Sequence, residues 1–257
     1  MKPTVQPPVL IRGLEYGGPH PLFCIPLVAG NLDELTTQAE IARGLKPELV
    51  EWRADFFQHP TASALADAAN TLRKTLDDQA IIFTLRIRNE GGVQEIPQPM
   101  RRVLIETVLR SKTMDIVDLE LANEPEFLDP VMGVARECGV KILLAFHDFD
   151  KTPANDSLLD KIGTMRARGA DIAKIAVMPR TPDDVMRLFQ VTIAARNRFP
   201  ALPLSTMSMG ALGSISRVAG FLYGSDMSFA VGKTASAPGQ VPIEDARNMA
   251  RMLLHYS

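Results

Sequence analysis

The feature that most constrains this chain is a strict alternation. From residue 22 to residue 255, short apolar runs alternate with longer runs that read as helices. The apolar runs lie at 22–28, 48–53, 81–86, 115–121, 140–146, 170–179, 202–207 and 228–231, and each reads as a buried strand. The intervening helices are expected at 31–43, 61–76, 100–110, 126–138, 156–168, 182–198, 214–222 and 242–255. Asn31 and Thr181 stand where N-caps belong. Regular βα units imply a parallel sheet, and eight of them in 257 residues fit one α/β domain, residues 1–257, folded as a (β/α)8 TIM barrel. An open doubly wound sheet is the alternative. Such sheets commonly bind nucleotides through a glycine-rich first turn, and residues 28–31 offer no G-x-G-x-x-G. Residues 1–21, around Gly13 and Gly17-Gly18, read as a short N-terminal β-hairpin or arm.

Composition closes several routes. A net charge of −2 gives no basic surface for nucleic acid or membrane. The two cysteines, Cys24 and Cys138, are far apart in apolar surroundings, which points to a reduced, cytoplasmic compartment. The early residues show no apolar leader core, and no run reaches membrane-spanning length. The histidines (His20, His59, His147 and His255) are scattered without ligand spacing, so no metal is expected.

Charges stand where a barrel interior should be apolar. In A-D-I-A-K-I-A-V-M-P, Ile172, Lys174 and Ala176 share one strand face. A lysine in such a dry slot is nucleophilic when neutral, and its chemical use is a Schiff base with a carbonyl compound. The other reading is a lysine that reaches the strand end or pairs with a carboxylate. Glu51 and Arg53 share a face, as do Asp118 and Glu120. Arg86 ends one strand and His147 follows another. Each alone fits a salt-bridge layer. Seven such groups near strand C-termini point to a catalytic site, because barrels of this kind carry their active sites at that end.

The loops add anion-binding chemistry. In M-S-M-G-A-L-G-S-I-S-R, glycine N–H groups approach an anion and Arg217 forks onto a carboxylate, or the segment is a plain turn with a surface arginine. T-A-S-A-P-G-Q-V-P reads as a mobile lid or an ordinary loop. N-E-G-G at 89–92 reads as a turn whose carboxylate has at most a secondary proton-relay role.

The motifs E-W-R-A-D-F-F, T-L-R-I-R-N-E-G-G, F-H-D-F-D-K-T-P, A-D-I-A-K-I-A-V-M-P, M-S-M-G, I-S-R-V-A-G and S-A-P-G-Q, in that order, resemble the type I 3-dehydroquinate dehydratase family. The resemblance runs from about Leu22 onward. It implies a homodimeric (β/α)8 barrel that needs no metal or organic cofactor and takes the small molecule 3-dehydroquinate as substrate. It implies that Lys174 forms the imine and that His147 is the general acid and base. Either Glu51 or Asp148 is expected to orient that imidazole by hydrogen bonding. The resemblance assigns Glu51, Arg53 and Arg86 to substrate hydroxyls or site order, Arg217 to the substrate carboxylate, and Ser236 and Gln240 to the lid. Pro26 replaces a frequent family serine, and Ala211 a frequent lysine, which touches secondary contacts only. A class I aldolase on a phosphorylated sugar and a non-catalytic acid sensor are the rival readings.

Overall fold

The computed structural model describes residues 2–255; Met1, Tyr256 and Ser257, the ends of the expected domain, lie outside the described residues. Eight parallel strands form one sheet: β3 (Leu22–Leu27), β4 (Leu49–Arg53), β5 (Ala80–Thr84), β6 (Ile116–Glu120), β7 (Lys141–Asp148), β8 (Ile172–Val177), β9 (Leu204–Ser208) and β10 (Met227–Phe229). Their order is β10-β3-β4-β5-β6-β7-β8-β9, a nearly closed (β/α)8 barrel and not an open doubly wound sheet. Eight helices alternate with them: α1 (Leu32–Leu45), α2 (Ala62–Leu76), α3 (Gln98–Arg110), α4 (Pro125–Glu137), α5 (Asn155–Ala167), α6 (Pro182–Arg198), α7 (Gly210–Ala219) and α8 (Ile243–His255). α7 starts four residues earlier than its sequence suggests. Glycine-rich turns score poorly as helix, yet Gly213 lets α7 lie against β9, where any Cβ would sit 2.4 Å from the Ser208 carbonyl oxygen.

Local chemistry sets the helices. The Asn31 side chain accepts from the Glu34 N–H, and Thr181 with Asp184 forms a reciprocal capping box; each such cap contributes about 1 kcal/mol. On α2, Leu65, Ala68, Ala69, Leu72 and Leu76 recur at helical spacing and are buried. The outward strand residues, Trp52, Phe83, Val117, Leu144 and Ile175 among them, pack beneath such faces. The inward residues Cys24, Leu49, Ile82, Ile116, Leu143 and Ile172 fill the lower barrel.

The expected N-terminal hairpin is present as β1 (Val9–Ile11) paired with β2 (Leu14–Tyr16). Its two-residue turn, Arg12-Gly13, has φ +48° and +78°, the positive pair that a twisted hairpin favours. Ile11 and Tyr16 join the lower interior cluster and plug that end. Closure between β9 and β10 is polar. Asp226 accepts from Arg196 Nη2 at 2.5 Å and from Leu204 N at 2.8 Å, while Lys2 Nζ, from the arm, lies 2.5 Å from its other oxygen. Thr206 N donates to Ser225 Oγ and Ser205 Oγ to the Met227 carbonyl.

Candidate active site

The upper barrel holds a small cavity, about 40 Å³. Glu51, Arg53, Arg86, His147, Lys174, Arg217, Ser236 and Gln240 all line it. These are the eight site residues expected from the sequence, brought together from β4, β7, β8, α7 and two loops, those after β5 and β10. The register explains the convergence: Ala145 lies opposite Lys174, and His147 opposite Ala176. Lys174 and His147 therefore point inward one pleat apart on neighbouring strands.

Lys174 is 4% exposed and its amine has partners. Nζ lies 2.8 Å from Asp118 Oδ2, 3.8 Å from Glu51 Oε1, and 4.5 Å from the centroid of the Phe229 ring. Of the two readings of this lysine, the one paired with a carboxylate holds: β6 and β4, across the barrel interior, supply Asp118 and Glu51. Burial raises the Asp118 pKa, but the Arg86 and Lys174 charges outweigh it and hold the carboxyl below its ordinary value. Glu51 is fixed from the side by the Thr84 hydroxyl, which donates to it at 2.9 Å.

His147 has a different partner from either expected one. Its Nδ1 lies 2.8 Å from Glu90 Oε2, and its backbone N–H donates to the same oxygen at 3.0 Å. Asp148 is the next strand residue, so it points to the opposite face; it accepts turn N–H groups from Asp150 and Lys151. Glu51 belongs to Thr84 and Lys174. Glu90 carries only a secondary signal in the sequence because it sits in a turn beside Gly91-Gly92. That turn is what carries it over the barrel mouth. Gly91 has φ +88° and a Cβ there would strike the Phe149 ring at 2.5 Å, while a Cβ on Gly92 would meet the Arg86 carbonyl oxygen at 2.2 Å. Phe149 stacks over His147 with ring centroids 6.4 Å apart.

Burial, then the charges of Arg86, Lys174 and Arg53, hold the His147 imidazole well below its usual pKa. Burial pushes Glu90 up to about 8, against the pull of Arg86. Both displacements disfavour an isolated charge on either group. The Glu90 contact occupies Nδ1, which leaves Nε2 as the ring nitrogen for proton exchange with a ligand.

The arginines divide into fixed and free. Arg53 is clamped bidentately by Asp55 at 2.7 and 2.8 Å. Arg86 lies 2.8 Å from Asp118 and 3.0 Å from Glu120. Arg217 is 2% exposed, yet among the described residues no carboxylate pairs with it. It donates to the Pro238 carbonyl at 2.9 Å and approaches Met207 Sδ at 3.6 Å, and its Nε has no partner. Burial alone lowers its pKa to about 10.

The segment read as a mobile lid is docked. Pro238 O accepts from Arg217 and from Gly210 N at 3.2 Å, so the first N–H of α7 is occupied by the lid and not open to an anion. Gln240 closes the loop on Ser236 through Oε1 to its N–H (2.9 Å) and Nε2 to its Oγ (3.2 Å). Among the described residues there is no metal-ligating cluster, and no helix is long and apolar enough to cross a membrane.

The family model described as Type I 3-dehydroquinase matches residues 23–257. A 3-dehydroquinate dehydratase of Geobacillus thermodenitrificans is 41% identical over 251 residues, covering 96% of each chain. The crystal structure of the 3-dehydroquinate dehydratase from Geobacillus kaustophilus superposes with a TM-score of 0.96 at 41% identity, over 100% of both chains. The type I 3-dehydroquinate dehydratase of Clostridium difficile, solved with covalently modified comenic acid, gives 0.94 at 29% identity over 97% of this chain and 99% of its own.

Proposed function

Since the chain belongs to the type I 3-dehydroquinase family and is a lyase of that class, we propose that it removes water from 3-dehydroquinate through an imine on Lys174. Dehydration of that substrate gives 3-dehydroshikimate. One observation carries the reading. A buried amine, an imidazole with a bound carboxyl partner, and an arginine without a counter-ion face one cavity. That set suits a keto acid: a carbonyl for the amine, a carboxylate for Arg217.

The chemistry follows from the positions. The Lys174 amine adds to the ketone carbon, and loss of that oxygen as water leaves an iminium. The cation draws electrons from the neighbouring C–H bond, and His147 Nε2 takes the proton to give an enamine. Enamine electrons then expel the hydroxyl two carbons away as His147 returns its proton, which releases water from the same face. Hydrolysis of the product iminium restores the amine. Proton transfer by a positioned imidazole contributes about 10²–10⁴-fold, and the covalent route divides one hard step into easier ones. Glu90 holds the imidazole. Arg217 takes the carboxylate by a charge-assisted fork. Arg53, Arg86 and Glu51 order the hydroxyl face, and Ser236 and Gln240 close over the substrate. The covalent comenic acid adduct of the C. difficile relative supports covalent chemistry in this family. The reading includes no metal or organic cofactor. It takes the enzyme to be a cytoplasmic homodimer of one-domain chains serving the shikimate pathway of aromatic amino acid biosynthesis.

The test is intact mass after 3-dehydroquinate and then borohydride. A stable adduct on the peptide containing Lys174 is expected, and His147→Ala is expected to trap it still while turning over very slowly. Consumption of substrate with no adduct would show dehydration by a route without the lysine.

A further inference from the structure

We propose that Arg101, on α3 outside the barrel, is a positioning residue for the Lys174 amine and acts through Glu120, Arg86 and Asp118. The inference rests on Lys174 being the imine-forming group. Arg101 does not line the cavity, and its neighbour Arg102 makes an ordinary exposed pair with Glu106. Arg101 instead is 4% exposed and shares the buried face of α3 with Leu104, Ile105 and Val108. A cation in that place requires a buried counter-charge.

Its partners form a chain of alternating charge. Arg101 Nη2 lies 2.5 Å from Glu120 Oε2, and Glu120 Oε1 lies 3.0 Å from Arg86 Nη1. Arg86 Nη2 lies 2.8 Å from Asp118 Oδ2, which lies 2.8 Å from Lys174 Nζ. Every side chain in the series is at most 5% exposed. Arg101 is itself fixed: Nε donates to the Leu85 carbonyl, Nη1 to Asn123 Oδ1, and the guanidinium lies over the Phe127 ring.

The division of oxygens gives the chain its consequence. Arg101 and Asn123 occupy Glu120 Oε2, so Arg86 meets Glu120 at Oε1, which also accepts from the Ile87 N–H. Arg86 then has its second nitrogen free for Asp118. Asp118 in turn shares Oδ2 between Arg86 and Lys174, while its Oδ1 has no partner among the described residues. Without Arg101, Glu120 can turn both oxygens onto Arg86 in the preferred bidentate geometry. Arg86 then leaves Asp118, and Asp118 is given wholly to the lysine. A more tightly paired ammonium is a poorer nucleophile.

The experiment compares R101M and R101K with the unaltered enzyme. Three quantities are read: the melting transition, the dissociation constant for quinate (a carboxylate without the ketone), and the rate of borohydride-trappable imine formation with 3-dehydroquinate. R101M is expected to form the imine at least ~10-fold more slowly with quinate affinity within ~2-fold. R101K, a point charge without the fork, is expected to fall between, ~3-fold slow. Should R101M not fold, R101K decides by the same two numbers. Imine formation at the unaltered rate in a folded variant overturns the proposal. So does a parallel loss of rate and quinate affinity, or failure of both variants to fold, since each assigns Arg101 to the scaffold alone. Absence of any adduct in the unaltered enzyme overturns the assignment of Lys174 itself, a separate outcome.

Discussion

Arg217→Met should make the enzyme more stable and nearly inactive, and the two effects come from one cause. The Arg217 guanidinium is 2% exposed, has no carboxylate partner among the described residues, and is held by the Pro238 carbonyl at 2.9 Å and Met207 Sδ at 3.6 Å. Its fall from the ordinary guanidinium range to about 10 comes from burial alone and corresponds to roughly 3 kcal/mol carried by the free enzyme at neutral pH. Methionine fills a similar volume without charge. The lost hydrogen bond from a charged donor costs about 1.5–3 kcal/mol, so the net gain is on the order of 1 kcal/mol, a rise in Tm of about 2–4 °C. The same change leaves a bound substrate carboxylate without its cation. Removing one member of a buried pair costs about 3–5 kcal/mol, or a loss of roughly 10²–10⁴ in kcat/KM. The sign also sets a pH window. The folded state binds the Arg217 proton more weakly than the unfolded chain, so the penalty is present below about pH 10 and fades above it. Thermal melting at pH 7 and steady-state kinetics together check the argument. A variant that melts lower while keeping its KM would refute it, because Arg217 would then be a structural cation and no carboxylate site.

Three other outcomes follow from the geometry. Glu90→Gln removes the carboxyl partner of His147 Nδ1 and is expected to lower kcat about 10–100-fold with little change in KM, read by steady-state kinetics. Glu90 also imposes a pH dependence. Its folded pKa is raised, so its stabilising contribution is full below its ordinary 4.5 and is lost as pH rises through about 8. His147, with a lowered folded pKa, acts oppositely below its ordinary 6.5. Between about pH 6.5 and 8 only the Glu90 effect remains, and the unaltered enzyme should lose melting temperature there relative to E90Q. Gly239→Ala places a Cβ 2.2 Å from the Gly210 carbonyl oxygen at φ +78°. The lid must then leave Arg217, and KM is expected to rise ~10-fold in kinetics while Tm barely moves. Asp226→Asn leaves Lys2 and Arg196 buried without their counter-charge. The expected cost is about 3–5 kcal/mol, a drop in melting temperature of at least ~6 °C.

How legible this was depended on what kind of signal each residue left. The barrel was written in period and length: an inward face repeats every second residue, and the sequence alone put Glu51, Arg53, Asp118 and Lys174 on such faces near strand ends, with His147 directly after a strand. Lys174 and His147 also sit inside motifs dense enough to imply their roles. The sequence did not say which charge meets which. His147 could not be matched to Glu90, because the contact spans 57 residues and depends on a glycine turn whose path follows from Phe149 and the Arg86 backbone. Arg101 and Arg102 are adjacent in the chain and identical in type, yet one is buried on Glu120 and the other exposed on Glu106, a difference set by which side of α3 faces the sheet. The β9–β10 closure by Asp226, Lys2 and Arg196 likewise joins residues from the arm, α6 and the start of β10. The sequence determined which residues face inward, since strand alternation is a local property of the backbone. Tertiary structure alone decided which inward charges are neutralised and which, like Arg217, are left for a ligand. That follows from the physics of burial: the cost of a desolvated charge is settled by whatever lies within a few ångströms in space, whatever its distance along the chain.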